Sequence, residues 1–75
     1  MLADVLGHLN EVAFDGAAAR AAAEIRVDLE RAGETIGPLD LLIAGTALSR
    51  GATLVTNNGA EFERVRGLRL IDWSR

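Results

Sequence analysis

The chain has 75 residues, enough for one small domain, and it contains no Cys. Disulfides, thiolate zinc sites and thiol nucleophiles are therefore excluded within it, and a Cys-free composition suits a reducing cytoplasm, where we expect this protein to act. Hydrophobic residues make up 49% of the chain but aromatic residues only 4%. The longest apolar run is far shorter than a membrane span, and we find no signal-peptide pattern, so we expect no membrane partner.

The net charge of −3 is unevenly distributed along the chain. Residues 1–40 contain three Arg and eight acidic residues, whereas residues 41–75 contain five Arg and three acidic residues. All eight cations are Arg, which GC-rich coding alone could produce. The functional alternative is a basic C-terminal half that contacts phosphates or an acidic partner through the paired donors of Arg. An acidic chain is, overall, a poor non-specific ligand for nucleic acid.

The first half of the chain predicts a truncated helix, a short strand and a long helix. Residues 2–9 have helical apolar spacing, and residues 10–14 suit a strand. An Ala-rich helix follows from residue 16 or 17 to about residue 32, with Asp15 as its N-cap and Gly33 as its stop. Its predicted apolar stripe consists of Ala18, Ala22, Ile25, Leu29 and Ala32.

The second half predicts a helix, a strand, a short helix and a final strand. Pro38 suits the first position of a helix that continues to about Arg50. A β-branched strand covers 53–56, a short helix covers 60 to about 65, and a strand covers 68–71, with Trp73 as its expected anchor. The predicted inner face of the helix that starts at Pro38 consists of Leu39, Leu42, Ile43, Thr46 and Ala47.

Helices that connect successive strands imply parallel strands and an α/β fold. Ligands of open α/β sheets lie at the carboxyl ends of the strands, where Thr56 and Asn58 are found. Asp40 in the first turn of its helix could bind a cation, or it could only complement the helix dipole. Asn58 with Gly59 could form an ordinary turn, and Glu61 could be a solvated first-turn acid.

Three segments of the chain closely resemble the C-terminal half of PIN-domain toxins, the VapC-like ribonucleases of type II toxin–antitoxin pairs. They are 40–45 (DLLIAG), 54–65 (LVTNNGAEFERV) and 67–73 (GLRLIDW). The similarity extends from about Leu9 to Ser74. It implies one PIN-like domain over residues 1–75, with short parallel strands and flanking helices from an incomplete three-layer fold.

The resemblance also implies an endoribonuclease that depends on Mg²⁺ or Mn²⁺, with RNA as substrate and an antitoxin protein as partner. Asp40, Asn58 and Thr56 match catalytic positions of the family, and Asp40, Asn58 and Glu61 match the positions expected to hold the metal. The cation would neutralise developing charge on the phosphodiester and supply a hydroxide at neutral pH.

The family pattern usually begins with a strand that ends in Asp-Thr-Asn, followed by a helix-borne Glu, and neither occurs in this chain. Two of the usual four acidic positions are therefore unmatched, and the sheet is expected to lack its central strands. We expect such a chain to form a homo-oligomer, pair with a complementing chain or re-pair internally. The alternatives to an enzyme are a catalytically incomplete module that binds antitoxin or toxin, and a structural fragment without a ligand.

Overall fold

The computed structural model describes residues 15–74, so the helix and strand predicted before Asp15 lie outside the described residues. The elements in chain order are α1 (Gly16–Ala32), α2 (Pro38–Ser49), β1 (Thr53–Thr56), α3 (Gly59–Phe62) and β2 (Arg69–Asp72). Two parallel strands flanked by helices confirm the prediction of an α/β fold. Within residues 15–74, no helix combines the length and the apolar character that crossing a membrane requires.

Helix α1 begins and ends where its own residues satisfy the free backbone groups. The Asp15 carboxylate accepts a hydrogen bond from the Ala18 amide at 2.8 Å, which confirms the predicted N-cap. Gly33 has a φ of 71°, and its amide and that of Glu34 donate to carbonyls of the last turn. This left-handed residue ends the helix at the predicted position.

Helices α1 and α2 cross at a contact made of small side chains. A Cβ added to Gly45 would lie 2.9 Å from the Ala18 carbonyl oxygen and 2.9 Å from both the amide nitrogen and the Cβ of Ala22. The two backbones therefore approach each other as closely as glycine and alanine permit. Thr46 is also buried there, and its hydroxyl donates to the Leu42 carbonyl at 2.7 Å.

The sheet sets the position of the polar residues that follow its strands. Thr53 pairs with Arg69 and Thr56 with Asp72, so both strands end at the same edge. Leu54 is 1% exposed and packs in the core, whereas Ile71 is 54% exposed on the alternating face of the sheet. The core consists of Ile25, Leu29, Ile43, Ala44, Ala47, Leu54, Phe62 and Val65.

Three predicted packing positions are wrong. Leu39 is 53% exposed, because the contact face of α2 centres on its small residues, including Gly45, and not on its first turn. Ala32 is exposed because it is the last residue of α1. The Trp73 side chain does not anchor the strand, because Trp73 is 63% exposed. Its backbone amide connects it to the sheet by donating to the Thr56 carbonyl at 3.0 Å.

A candidate metal centre at the strand ends

The loop after β1 is held by the side chain of the last strand residue. Thr56 is 1% exposed, and its hydroxyl accepts a hydrogen bond from the Asn58 amide at 3.0 Å. This bond folds the chain back as the strand ends and places Asn58 at the start of α3. Thr56 therefore acts on the candidate site through the backbone of Asn58.

Glu61 connects the start of α3 to the start of α2. One carboxylate oxygen of Glu61 accepts from the Asn58 side-chain amide at 2.7 Å, and the other accepts from the Gly37 backbone amide at 3.4 Å. Gly37 is the N-cap residue of α2, whose first amides have no partner inside the helix. Glu61 is therefore an ordered acceptor between two elements and differs from the solvated first-turn acid that was the alternative prediction.

Asp40 completes a cluster of three side chains. It lies in the first turn of α2, and its carboxyl faces that of Glu61, so that the two can share a hydrogen bond when one of them is protonated. Partial burial, this hydrogen bond and the negative charge of Glu61 together raise the pKa of Asp40 above 3.8. Asp40 is therefore the member of the pair that keeps a proton more readily.

The pKa of Glu61 moves in the opposite direction. Burial by itself would raise it, but hydrogen bonds from Asp40, Asn58 and the Gly37 amide, with the attraction of Arg64, outweigh burial and lower the pKa below 4.5. Arg64 is held nearby, because its guanidinium donates to the Thr35 carbonyl at 3.0 Å. Two carboxyls that share one hydrogen bond have pKa values pushed apart, as in many sites that bind cations or transfer protons.

The cluster of Asp40, Asn58 and Glu61 has a donor set that suits a hard cation. Mg²⁺ keeps several waters and is often held by one or two carboxylates, and two are present here. The Asn58 amide nitrogen is used by Glu61, which leaves the amide oxygen as a further ligand. Within residues 15–74, no group of three or more His, Cys, Asp or Glu is arranged to hold a metal ion. A bound ion would therefore take its remaining ligands from water or from outside these residues.

Asp72 is the residue at this edge that the sequence analysis did not single out. It is in register with Thr56, and its carboxylate accepts from the Gly59 amide at 2.9 Å. The signal was available, because the predicted parallel pairing places an acid directly after the last strand at the same edge as Thr56. The predicted strand ended one residue earlier, at Ile71, which left Asp72 outside the sheet.

A groove of about 540 Å³ lies elsewhere on the molecule, between α1 and the segment that follows α3. Its walls carry both signs of charge, with Glu24 and Asp28 on α1 and Arg64 and Arg66 on the other side. Asp40, Asn58 and Glu61 do not line it. The cluster therefore lies outside this groove.

A sequence model of the PIN domain family matches residues 2–68. The chain is 56% identical over 61 residues to a tRNA(fMet)-specific endonuclease VapC of Shigella flexneri. The matched segment covers 81% of this chain and 46% of the relative. It is 46% identical over 68 residues to the protein of the same name from Salmonella typhimurium, which covers 91% of this chain and 52% of the relative. The chain thus spans about half the length of the curated relatives it matches.

Solved structures give the same result. VapBC2 from Rickettsia felis, bound to a promoter DNA fragment, superposes with a TM-score of 0.76 at 45% identity, over 80% of this chain and 45% of that one. DNA-bound VapBC from Salmonella typhimurium superposes with a TM-score of 0.76 at 50% identity, over 80% of this chain and 46% of that one. The similarity therefore holds in backbone arrangement as well as in sequence.

Proposed function

Because the chain belongs to the PIN domain family and is VapC-like, we propose that it is part of a Mg²⁺- or Mn²⁺-dependent endoribonuclease toxin of a type II toxin–antitoxin system. The observation that carries the proposal is the cluster at the ends of the parallel strands, in which Asn58 donates to Glu61 and Asp40 lies against the Glu61 carboxyl. We further propose that residues 1–75 act as one PIN-like domain, and that the protein works in the cytoplasm, where its RNA substrate is found.

The chemistry assigned to this cluster is hydrolysis of an RNA phosphodiester. Asp40 and Glu61 would hold the cation through carboxylate oxygens, with the Asn58 amide oxygen as a third ligand. When bound, the cation neutralises charge that develops on the phosphate and lowers the pKa of the attacking water. Asp40 would bind the cation in its ionised form, which its raised pKa makes less favourable, and Thr56 keeps the Asn58 backbone in place.

The names of the relatives support a proposed substrate and a proposed partner. Two of these relatives are called tRNA(fMet)-specific endonucleases, so tRNA(fMet) is the first RNA to test. The structural neighbours are VapBC complexes, which supports an antitoxin protein as the partner. Because two carboxylates and one amide make a weak cation site, we propose that a second copy or a complementing chain supplies further ligands.

A second function is favoured by a different observation. Within the described residues the cluster has fewer than three acidic side chains, which fits a catalytically incomplete module that binds an antitoxin or a toxin. The two functions differ in whether any assembly that contains this chain cleaves RNA. The interaction module would bind its protein partner equally well without Asp40.

The test is an RNA cleavage assay with Mg²⁺ or Mn²⁺, with and without EDTA, on the chain and on its assemblies. Asp40→Ala should reduce cleavage by at least about a hundredfold, because it removes one of the two carboxylate ligands of the proposed site. Glu63→Gln is the matched control, since it neutralises an exposed acid two residues from Glu61 and should retain activity. Cleavage that survives Asp40→Ala or EDTA would refute the site.

A binding measurement separates the two functions further. Calorimetric titration with Mn²⁺ should show binding to the unsubstituted chain and a loss of at least about tenfold in affinity for Asp40→Asn, which keeps the shape of the side chain. If Mn²⁺ binds but no assembly cleaves RNA, the interaction module is the correct function. If Mn²⁺ binds neither the chain nor any of its assemblies, the metal-dependent proposal fails.

A further inference from the structure

Asp72 uses both of its carboxylate oxygens at the end of β2. One oxygen accepts from the Gly59 amide at 2.9 Å. The other accepts from the backbone amide and the hydroxyl of Ser74, at 2.9 and 2.6 Å. The side chain therefore ties the last residue of β2 to the first residue of α3.

The contact between Asp72 and Gly59 leaves no space for another atom. Gly59 is buried, and a Cβ added to it would lie 2.8 Å from the Asp72 Cβ and 2.9 Å from its Cγ. The backbone of α3 therefore begins directly against the Asp72 side chain, which fixes the position of the helix start as well as its hydrogen bond. Glycine at residue 59 is required by this approach and not by a left-handed backbone.

Gly59 lies between two members of the candidate metal centre. Asn58 precedes it and is held by Thr56, while Glu61 follows two residues later and accepts from the Asn58 side chain. The Trp73 amide, next to Asp72, also donates to the Thr56 carbonyl at 3.0 Å. The segment that carries Asn58 and Glu61 is thus fixed at Thr56 on one side and at Asp72 on the other.

We propose that Asp72 is a positioning residue, whose hold on the Gly59 amide fixes Asn58 and Glu61 relative to Asp40. Its connection to a metal rests on the proposed function, whereas its effect on the two side chains does not. Outer residues that orient ligands commonly change metal affinity by about 10- to 100-fold when they are removed. Asp72 makes this kind of contact, because it bonds to the backbone that carries the ligands and not to the centre itself.

The test compares Asp72→Ala with Asp72→Asn and uses Ser74→Ala as matched control. Asp72→Ala removes the acceptor of the Gly59 amide, Asp72→Asn retains an oxygen that can accept, and Ser74→Ala affects only the other carboxylate oxygen. We expect Asp72→Ala to weaken Mn²⁺ binding by about tenfold or more. The Mn²⁺ affinity of Asp72→Asn should remain closer to that of the unsubstituted chain. Ser74→Ala should bind Mn²⁺ as tightly as the unsubstituted chain does.

Nuclear magnetic resonance provides a readout that needs no metal. Asp72→Ala should accelerate hydrogen exchange of the Gly59 amide and shift the Asn58 side-chain amide signals, with smaller changes in Asp72→Asn. If Asp72→Ala does not fold, Gly59→Ala displaces the same contact from the other side and should show the same two changes. The variant that combines Asp72→Ala with Gly59→Ala should lose less unfolding free energy than the sum of the losses in the two single variants. The reason is that both single substitutions break the same contact.

Two results would overturn the proposal. One is a folded Asp72→Ala chain with unchanged Mn²⁺ affinity and unchanged Asn58 signals. The other is a loss of melting temperature in Asp72→Ala without any change in those signals, which would make the role purely structural. If Mn²⁺ binds neither the unsubstituted chain nor its assemblies, the proposed function fails, and the Asn58 and Gly59 signals still decide whether Asp72 positions them.

Discussion

The contact between α1 and α2 and the cluster of Asp40, Asn58 and Glu61 are built on opposite principles. The helix contact is dry and made of small side chains, with Gly45 against Ala18 and Ala22. The cluster is half-exposed and places two carboxyls against each other. In the first region the low helix propensity of Gly45 is offset by the close packing that it allows, whereas in the second a like-charge contact is kept although it does not stabilise the fold.

The difference separates what holds the chain together from what it can do. Tight packing tolerates few changes of volume, and its loss is measured in folding free energy. A pair of ionised carboxyls in contact is an unfavourable surface feature, unless a cation or a substrate balances the charge. Sites of this kind commonly reduce stability in exchange for function, so substitutions in the two regions should give opposite results.

The largest effect is expected at Phe62, which joins the two regions. It is 2% exposed in the core and lies on α3, next to Glu61. Phe62→Ala should destabilise the chain by about 3–5 kcal/mol, because it leaves a cavity under the helix that carries the site. Chemical denaturation measures the loss, with Phe62→Leu as the milder control. An effect below about 1 kcal/mol would contradict the tight packing of Phe62 in the core.

A smaller loss is expected at the helix contact itself. Gly45→Ala should cost about 1–3 kcal/mol, because the added Cβ meets backbone atoms of α1 that cannot move independently. Gly16→Ala is the matched control, since its new Cβ would lie 3.4 Å from the flexible end of Arg20. Thermal melts should therefore separate the two variants, while Mn²⁺ affinity per folded molecule stays the same in both. Equal melting temperatures would contradict the close crossing.

The hydrogen bond between Thr56 and Asn58 should contribute less to the free energy of unfolding than the core contacts do. Thr56→Val keeps the shape but removes the acceptor of the Asn58 amide, at a cost of about 1 kcal/mol. Thr53→Val, on the exposed side of the same strand, should change stability by less than about 0.5 kcal/mol. Denaturant midpoints compare the two variants directly. A larger loss from Thr53→Val would reverse the assignment of the buried face.

The smallest effect is expected at Asp40, where a substitution should stabilise the chain instead of destabilising it. The raised pKa of Asp40 means that its contribution to stability is present below pH 3.8 and is lost as pH rises through the folded pKa. Glu61 has a lowered pKa, so its contribution is present above pH 4.5 and is lost as pH falls through its folded pKa. Asp40→Asn replaces the repelled carboxylate by an amide donor and should stabilise the chain at pH 7 by less than about 1 kcal/mol.

Thermal melts between pH 3.5 and 7 measure the difference in stability between the Asp40→Asn variant and the unsubstituted chain. It should shrink as the pH falls, because a protonated Asp40 donates to Glu61 much as an amide does. Asp28→Asn, which neutralises an exposed acid on α1, serves as the control and should show a smaller change. An Asp40→Asn chain that is less stable at pH 7 would contradict the like-charge contact.

The sequence predicted most of the elements because their boundaries depend on neighbouring residues. Asp15 and Gly33 bound α1, and Pro38 starts α2, by rules that need no tertiary information. The face that α2 buries could not be predicted in the same way, because the position of Leu39 depends on where Gly45 allows the helices to meet. Small residues carry little weight in an apolar pattern, although here they determine the contact.

The candidate site was predictable in composition but not in connectivity. The family resemblance identified Asp40, Asn58, Thr56 and Glu61, and their roles in catalysis remain predictions. The contact between the Asp40 and Glu61 carboxyls and the hydrogen bond from the Gly59 amide to Asp72 join residues that are distant in the chain. A sequence pattern records spacing along the chain, so it does not contain these pairings.

The caps of α1 have a consequence for the order in which the chain folds. Both helix ends are closed by residues within 15–34, whereas the pairing of Thr53 with Arg69 must first close a loop. Helix formation within one segment is faster than the pairing of strands that are distant in the chain, so we expect α1 to form early and strand alignment to come late. The polar cluster can assemble only in that late step, and a peptide of residues 15–34 should already show measurable helicity in isolation.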